Sequence, residues 1–378
     1  MILLSNAGSC ISTGDAPSDR MYVGTVDGVA CLERNDGAWT LKKNSLAGVF
    51  VSALAATQNG TLFAATHGAG VARSKDGGET WDWPTKGLDH LDVWAIRAGM
   101  LGGQEVIVAG TLPAHVYISR DGGDSWSELK GLQDAASREQ WCFPPAPRVG
   151  HIKDLVIDGG RLFVGIEIGA LLVSEDEGRT FRDMKINPDP RECDVHRLVL
   201  HPAKPERMIV TNGLLGLMLS ENRGSSWSML PLPPESNYPD AIAVHPNDPD
   251  LMFLSVGVGW PPHWYKLGRA RGKIARSRDG GKTWERLLGG LPDGQRALFS
   301  AISIDAWKGG TAIFAVDTDG QVFQSLDGGD HWTVIADVAP VSKGEFYRGL
   351  AKNRPPLAIV DDLKFNEHAS ERIENAKV

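Results

Sequence analysis

Six octets recur along the chain without internal gaps: SKDGGETW from Ser74 to Trp81, SRDGGDSW from Ser119 to Trp126, SEDEGRTF from Ser174 to Phe181, SENRGSSW from Ser220 to Trp227, SRDGGKTW from Ser277 to Trp284 and SLDGGDHW from Ser325 to Trp332. They share the pattern S-x-D-x-G-x-[ST]-W. Asn222 replaces the Asp once, Phe181 the Trp once and His331 the hydroxyl once. Successive aromatics lie 45, 55, 46, 57 and 48 residues apart, which is the period of a four-stranded propeller blade. The chemistry of each octet is that of a hairpin turn. The Asp accepts hydrogen bonds from turn N–H groups, the Gly permits positive φ, and the aromatic packs between neighbouring sheets.

Upstream of the octets stand short β-branched or apolar runs: Leu62 to Thr66, Val106 to Thr111, Leu162 to Ile166, Met208 to Asn212 and Ile313 to Val316. A second set precedes these, beginning at Ser52, His196 and Ser300, so each unit reads as four strands with the octet closing the third hairpin. A degenerate unit from Met21 to Trp39 makes seven. The 44 glycines and 22 prolines suit an all-β fold of short strands and tight turns. The expectation is one seven-bladed β-propeller over residues 1–340, with a C-terminal extension over 341–378. Either the opening strand, Ile2 to Ser5, or the segment Phe346 to Leu350 is expected to complete the last sheet.

The octets resemble Asp-boxes, also called BNR repeats, and the region from Met21 to Asp337 resembles the Asp-box propellers. That group includes sialidases, xyloglucan-degrading glycosidases, sortilin-type receptors and a photosystem II assembly factor. The resemblance implies the fold and leaves function open, because enzymes, receptors and assembly factors share it. A sialidase-like activity would require a FRIP segment and an arginine triad at the funnel: there is no FRIP segment, and Arg97, Arg197 and Arg276 fall at strand positions not obviously aimed at the funnel.

Charge narrows the partners. With 39 basic and 47 acidic residues the formal charge is −8, so no overall basic field draws nucleic acid. Cys10, Cys31, Cys142 and Cys193 include no CxxC pair, and a set of reduced thiols is expected. The apolar runs are too short for a membrane helix, and the opening MILLSNAGSC has no basic n-region, which predicts a cytoplasmic protein.

In a propeller the octet turns open on one face, here called the bottom, so their aspartates are scaffold. Function belongs to the opposite face, where the loops are long: Ser127 to Gly150 and Gly257 to Lys273, with Trp141, Phe143, Trp260, Trp264 and Tyr265. Aligned starts of the innermost strands give a column facing the central channel: Ser52, Trp94, Lys153, His196, Asp240 and Ser300. Two residues earlier stand Phe50, Asp92, His151, Asp194, Tyr238 and Leu298. His67 and Glu167 join from the second turn of their blades, and His115 lies just before a strand of blade 3.

This polar funnel points to a divalent ion, Zn, Mn or Fe, held by His67, His115, His151, His196 and Glu167, since borderline cations favour imidazole with carboxylate. Asp194, Asp240 and Lys153 are the catalytic candidates. Asp92, Tyr238, Trp141, Trp264 and Arg271 are the substrate-binding candidates. The leading expectation is a metal-assisted hydrolase or lyase acting on a small polar or saccharide-like substrate. The alternatives are a metal-free glycosidase using paired funnel carboxylates, and a non-catalytic binding or assembly propeller. P-loop, GxGxxG, HExxH and GxSxG signatures are absent from the sequence.

Overall fold

The computed structural model describes residues 1–143, 148–293 and 296–341, apart from the side chain of Tyr265. Among these residues seven sheets form, one for each blade expected. Blade 1 is the order Ile2–Leu4, Arg20–Thr25, Gly28–Asn35 and Ala38–Ser45 from the axis outward. The innermost strands of blades 2 to 7 are Val51–Ala56, Val93–Leu101, Ile152–Asp158, Val195–His201, Tyr238–His245 and Phe299–Trp307. Each pairs antiparallel with the next strand of its blade. In blade 2 the fourth strand is reduced to one bridge, Arg73 to Asp82.

Ring closure differs from expectation. The opening strand, Ile2–Leu4, completes the first blade, pairing parallel with Met21 to Val23. A second N-terminal strand, Ile11–Gly14, then adds to the last blade, pairing parallel with Ile304 to Trp307. Because the last blade already owns four strands, the N-terminal chain has only its axial edge to pair with. Between these strands, Ser5 to Cys10 is tied to blade 2 through Leu54, to blade 5 through Arg197 and to blade 7 through Ser300 and Ile304. The segment therefore crosses the centre of the ring. Phe346 to Leu350 and the extension lie outside the described residues.

The octets form the turns their chemistry implies. Ser74 Oγ accepts the Gly78 N–H at 2.8 Å and donates to Asp76 Oδ1, which also accepts the Thr80 N–H at 2.9 Å. The same bonds recur at Ser119, Ser174, Ser220, Ser277 and Ser325. The departures from consensus are functional equivalents: His331 Nδ1 donates to Asp327 Oδ2 at 2.7 Å, and Asn222 Nδ2 donates to Ser226 Oγ where a carboxylate would accept. At Gly123, φ is +90° and a Cβ would stand 2.6 Å from the Phe63 ring of the preceding blade, so the residue must be glycine on two counts.

Side chains from adjoining sheets interdigitate between blades. Ile209, Leu217 and Ile242 with Leu254, for example, fill the space between blades 5 and 6. Among the outer aromatics, Trp39, Trp126 and Trp332 are buried, whereas Trp81, Phe181, Trp227 and Trp284 are only half-buried. The outermost strands of blades 4 and 6 are two residues long. Trp227 and Trp284 are anchored to chain that follows the preceding octet by their indole N–H groups, on Met184 O and Pro231 O.

Candidate functional site at the top of the channel

The channel-facing column owes its direction to a repeated irregularity. In six blades the ladder between the first two strands skips a residue near the top, and the skipped residues are Ser52, Trp94, Lys153, His196, Asp240 with Ala241, and Ser300. A bulge removes a residue from the alternation of the strand and re-aims its side chain. A second repeated bond closes five of these blades above the bulge: His67 N–H to Phe50 O, Leu112 N–H to Asp92 O, Glu167 N–H to His151 O, Gly213 N–H to Asp194 O and Thr318 N–H to Leu298 O. His67, Glu167 and Gly213 thus occupy equivalent places over the funnel.

The centre of the site is a buried ionic cluster on blades 4, 5 and 6. Glu167 Oε2 lies 2.8 Å from His151 Nε2 and 3.2 Å from Lys153 Nζ. His196 Nε2 lies 3.3 Å from Asp194 Oδ1, and its Nδ1 lies 2.8 Å from Pro239 O and 3.7 Å from Asp240 Oδ1. A carbonyl only accepts, so Nδ1 carries a proton, and in the neutral form of the ring the lone pair is therefore on Nε2. Ligand atoms of Glu167, Asp194 and His196 all lie within 4.8 Å of one another. Glu167 Oε2, Asp194 Oδ1 and His196 Nε2 are also buried without a hydrogen bond of good geometry.

Burial opposes the charge on Lys153, yet Glu167, Asp240 and Asp194 raise its pKa overall. Burial likewise opposes the charge on Glu167, but Lys153 and His151 hold it well below the usual carboxylate range. His151 has its pKa lowered by burial, only partly offset by Glu167, so it is neutral at neutral pH. Three carboxyl groups, Glu167, Asp240 and Asp194, accordingly act on the one ammonium of Lys153.

Gly213 makes the cluster sterically possible. A Cβ there would collide with Asp194 Oδ2 and stand 2.8 Å from His196 Nε2. Sequence reading overlooked it, although the signal exists: glycine fills the slot that carries Glu167 in blade 4 and His67 in blade 2.

The remaining candidates fall into other groups. His67 is not part of the Glu167, Asp194 and His196 set; its Nδ1 pairs with Asp92 Oδ1 at 2.7 Å. It packs edge-on against Phe50 and Trp94, while Trp94 also lies against His151, tilted by 40° at 3.8 Å between centroids, and meets Phe143. These rings form one wall of the funnel. His115 is also outside that set, since its Nδ1 bonds Glu128 at 2.6 Å and its ring stacks on His90. Trp264 is fully buried at 0% exposure, so its ring offers no face to a substrate. The short helix Pro261–Leu267 carries it down onto Tyr238, which in turn packs on His196. Tyr238 is itself buried, and burial followed by Asp240 raises its pKa well above that of a free phenol. Trp141 is half-buried against Gly150 and Gly169, and Arg271 is exposed on the blade 6 insertion. Below the cluster, Arg97 and Arg197 are buried around Asp154, while Arg276 serves a bottom latch between blades.

No protein-family model matches the chain. The fold is that of solved propellers. The chain aligns with the GH74 xyloglucanase from Xanthomonas campestris at TM-score 0.63 and 20% identity, covering 88% of this chain and 55% of that one. It aligns with YCF48 bound to D1 peptide at TM-score 0.55 and 15% identity, covering 84% and 92%. A curated xyloglucanase of Hypocrea jecorina (strain QM6a) is 25% identical over 142 residues, which is 36% of this chain and 16% of that protein. The chain thus spans a small part of that relative's length. Among the described residues no helix is long and apolar enough to cross a membrane.

Proposed function

We propose that the funnel binds one divalent cation through Glu167, Asp194 and His196, and that the protein uses it to assist hydrolysis or elimination on a small polar, saccharide-like substrate. The observation that carries this reading is the convergence of Glu167, Asp194 and His196, whose ligand atoms lie within 4.8 Å of one another and each of which buries an atom without a well-formed hydrogen bond. The His196 Nδ1–H bond to Pro239 O adds support, because ring nitrogens that ligate metals are oriented by such a bond on the other nitrogen. One nitrogen and two oxygen donors suit Zn, Mn or Fe and leave coordination positions for water and substrate. In this reading Lys153 donates a hydrogen bond to a substrate oxygen, Asp240 holds the deep side of the cluster, and the His67–Asp92 pair takes up a proton at the opposite wall.

A second reading, a metal-free glycosidase built on the Glu167 and Asp194 carboxylates, is favoured by the sequence likeness to the Hypocrea jecorina xyloglucanase. A docking propeller is the outcome if neither holds. One experiment separates the three: elemental analysis of protein purified without a His tag, followed by assay of hydrolysis on neutral oligosaccharides with and without chelator. Stoichiometric metal with chelator-sensitive turnover supports the first reading. Turnover without metal supports the second, and neither metal nor turnover leaves the docking role.

A further inference from the structure

The two halves of the proposed cation site stand on different blades: Glu167 belongs with blade 4, and Asp194 and His196 with blade 5. What fixes their separation is a buried ionic layer directly underneath. Asp154 follows the bulged Lys153, and Arg197 follows the bulged His196. Asp154 Oδ2 accepts the Leu198 N–H of blade 5 at 2.8 Å. Its other oxygen lies 3.0 Å from Arg97 Nη2 of blade 3 and 3.5 Å from Arg197 Nη1. Arg97 also donates to Leu155 O at 2.6 Å. Arg197 reaches inward and donates to Asn6 O at 2.9 Å and Gly8 O at 3.0 Å on the N-terminal segment that crosses the ring. That segment is held in turn by Ser5 Oγ on Leu54 N–H and by Asn6 Nδ2 on Ser300 O.

We infer that Asp154 and Arg197, braced by the N-terminal segment from Ser5 to Cys10, are positioning residues for the cation site, setting the distance between Glu167 on one blade and Asp194 with His196 on the next. The inference rests on the cation reading above. Asp154 and Arg197 touch neither cation nor substrate. They act through the strands that carry the donors. A single carboxylate that binds a backbone N–H of the neighbouring blade and two arginines leaves the inter-blade spacing little freedom. The N-terminal chain then serves as more than a closure of the ring, because it crosses the ring and supplies the two carbonyls that hold Arg197.

The test uses full-length protein and cobalt(II) alone as the probe, with Asp154→Asn, Arg197→Lys and, as a control, Arg73→Lys. Arg73 is an equally buried arginine with two carboxylate partners, Asp82 and Asp124, in a bottom latch remote from the site. Cobalt affinity should fall roughly ten- to a hundredfold in Asp154→Asn and Arg197→Lys, with an altered visible spectrum. Arg73→Lys should lower thermal stability and leave both readouts unchanged. Wild-type affinity and spectrum in the first two variants, or equal losses in the control, would overturn the inference. Failure of the wild type to bind cobalt defeats the cation reading itself, and the positioning role is then read from the ring ¹⁵N shifts of His196. These should move in Asp154→Asn and Arg197→Lys and not in Arg73→Lys; unchanged shifts overturn it.

Discussion

His196 is placed by three local decisions. A bulge points it at the axis, Pro239 O selects its tautomer, and the missing side chain at Gly213 leaves room for Asp194 beside it. Gly213 carries no left-handed φ, so alanine is tolerated by the backbone and excluded only by the cluster. Gly213→Ala is expected to keep the fold and weaken cation binding at least tenfold by displacing Asp194, as read by titration calorimetry with manganese; undiminished affinity would show that the cluster is not the cation site. His196→Ala should abolish binding, whereas His67→Ala should retain it, because His67 pairs with Asp92 and is not part of the donor set. Equal loss in both would place the ion against the aromatic wall instead. The funnel column and Glu167 were legible in the sequence because blades align. Which histidines converge was not, since His67, His115, His151 and His196 look alike in a list and differ only in the partners that tertiary packing supplies.

A blade is a sheet that cannot bury both faces alone, and the box aromatic is one of the side chains that joins it to its neighbour. Trp126 is buried, contacts the core between blades 2 and 3, and donates to Pro84 O at 2.8 Å. Truncation to alanine should cost about 3–5 kcal/mol, measured by urea denaturation. The half-buried Trp284 should cost less, and the reverse order would mean that burial does not govern this interface. Arginine latches add a second device at the bottom. Arg73 reaches Gly122 O and Asp124 in the octet of the next blade, and Arg276 likewise reaches Gly328 O and Asp330 in the octet of the next blade, so the octets connect blades as well as close hairpins. The octet predicts its own turn because every partner lies within five residues. The arginine precedes the box Ser by one position, but its target is about 50 residues away, a pairing that only the ring brings together.

Repetition gives the whole molecule a collective response to acid. Asp76, Asp121, Asp176, Asp279 and Asp327 each have a pKa lowered from 3.8 to about 2, chiefly by hydrogen bonds from the box residue four positions on: its hydroxyl in the first four, and the His331 backbone N–H in the last. The folded state therefore binds fewer protons than the unfolded chain between these values. Stability from the boxes is present above about pH 4 and is lost as pH falls towards 2. Urea midpoints should drop between pH 5 and pH 2.5, and converting these aspartates to asparagine, as nature has done at Asn222, should flatten the slope. A wild-type midpoint independent of pH over that interval would contradict the assignment. The four cysteines are free in the structure, and thiol titration of denatured, unreduced protein should count four.

The sequence by itself determined the blade count, the all-β class, the turn chemistry and the face on which the polar residues gather, because each depends on residues close in the chain and repeated in register. Only the tertiary structure decided how the ring closes. It sent Ile2–Leu4 to the first blade and Ile11–Gly14 to the last, a choice between equivalent strand edges that no local pattern records. It also separated the Glu167, Asp194 and His196 cluster from the His67–Asp92 pair and the His90–His115 stack. The reason is physical: the identity of a site depends on distances of a few ångströms between side chains on different blades, and those distances are set by bulges, by a buried Asp154 with its two arginines, and by an N-terminal segment threaded between them.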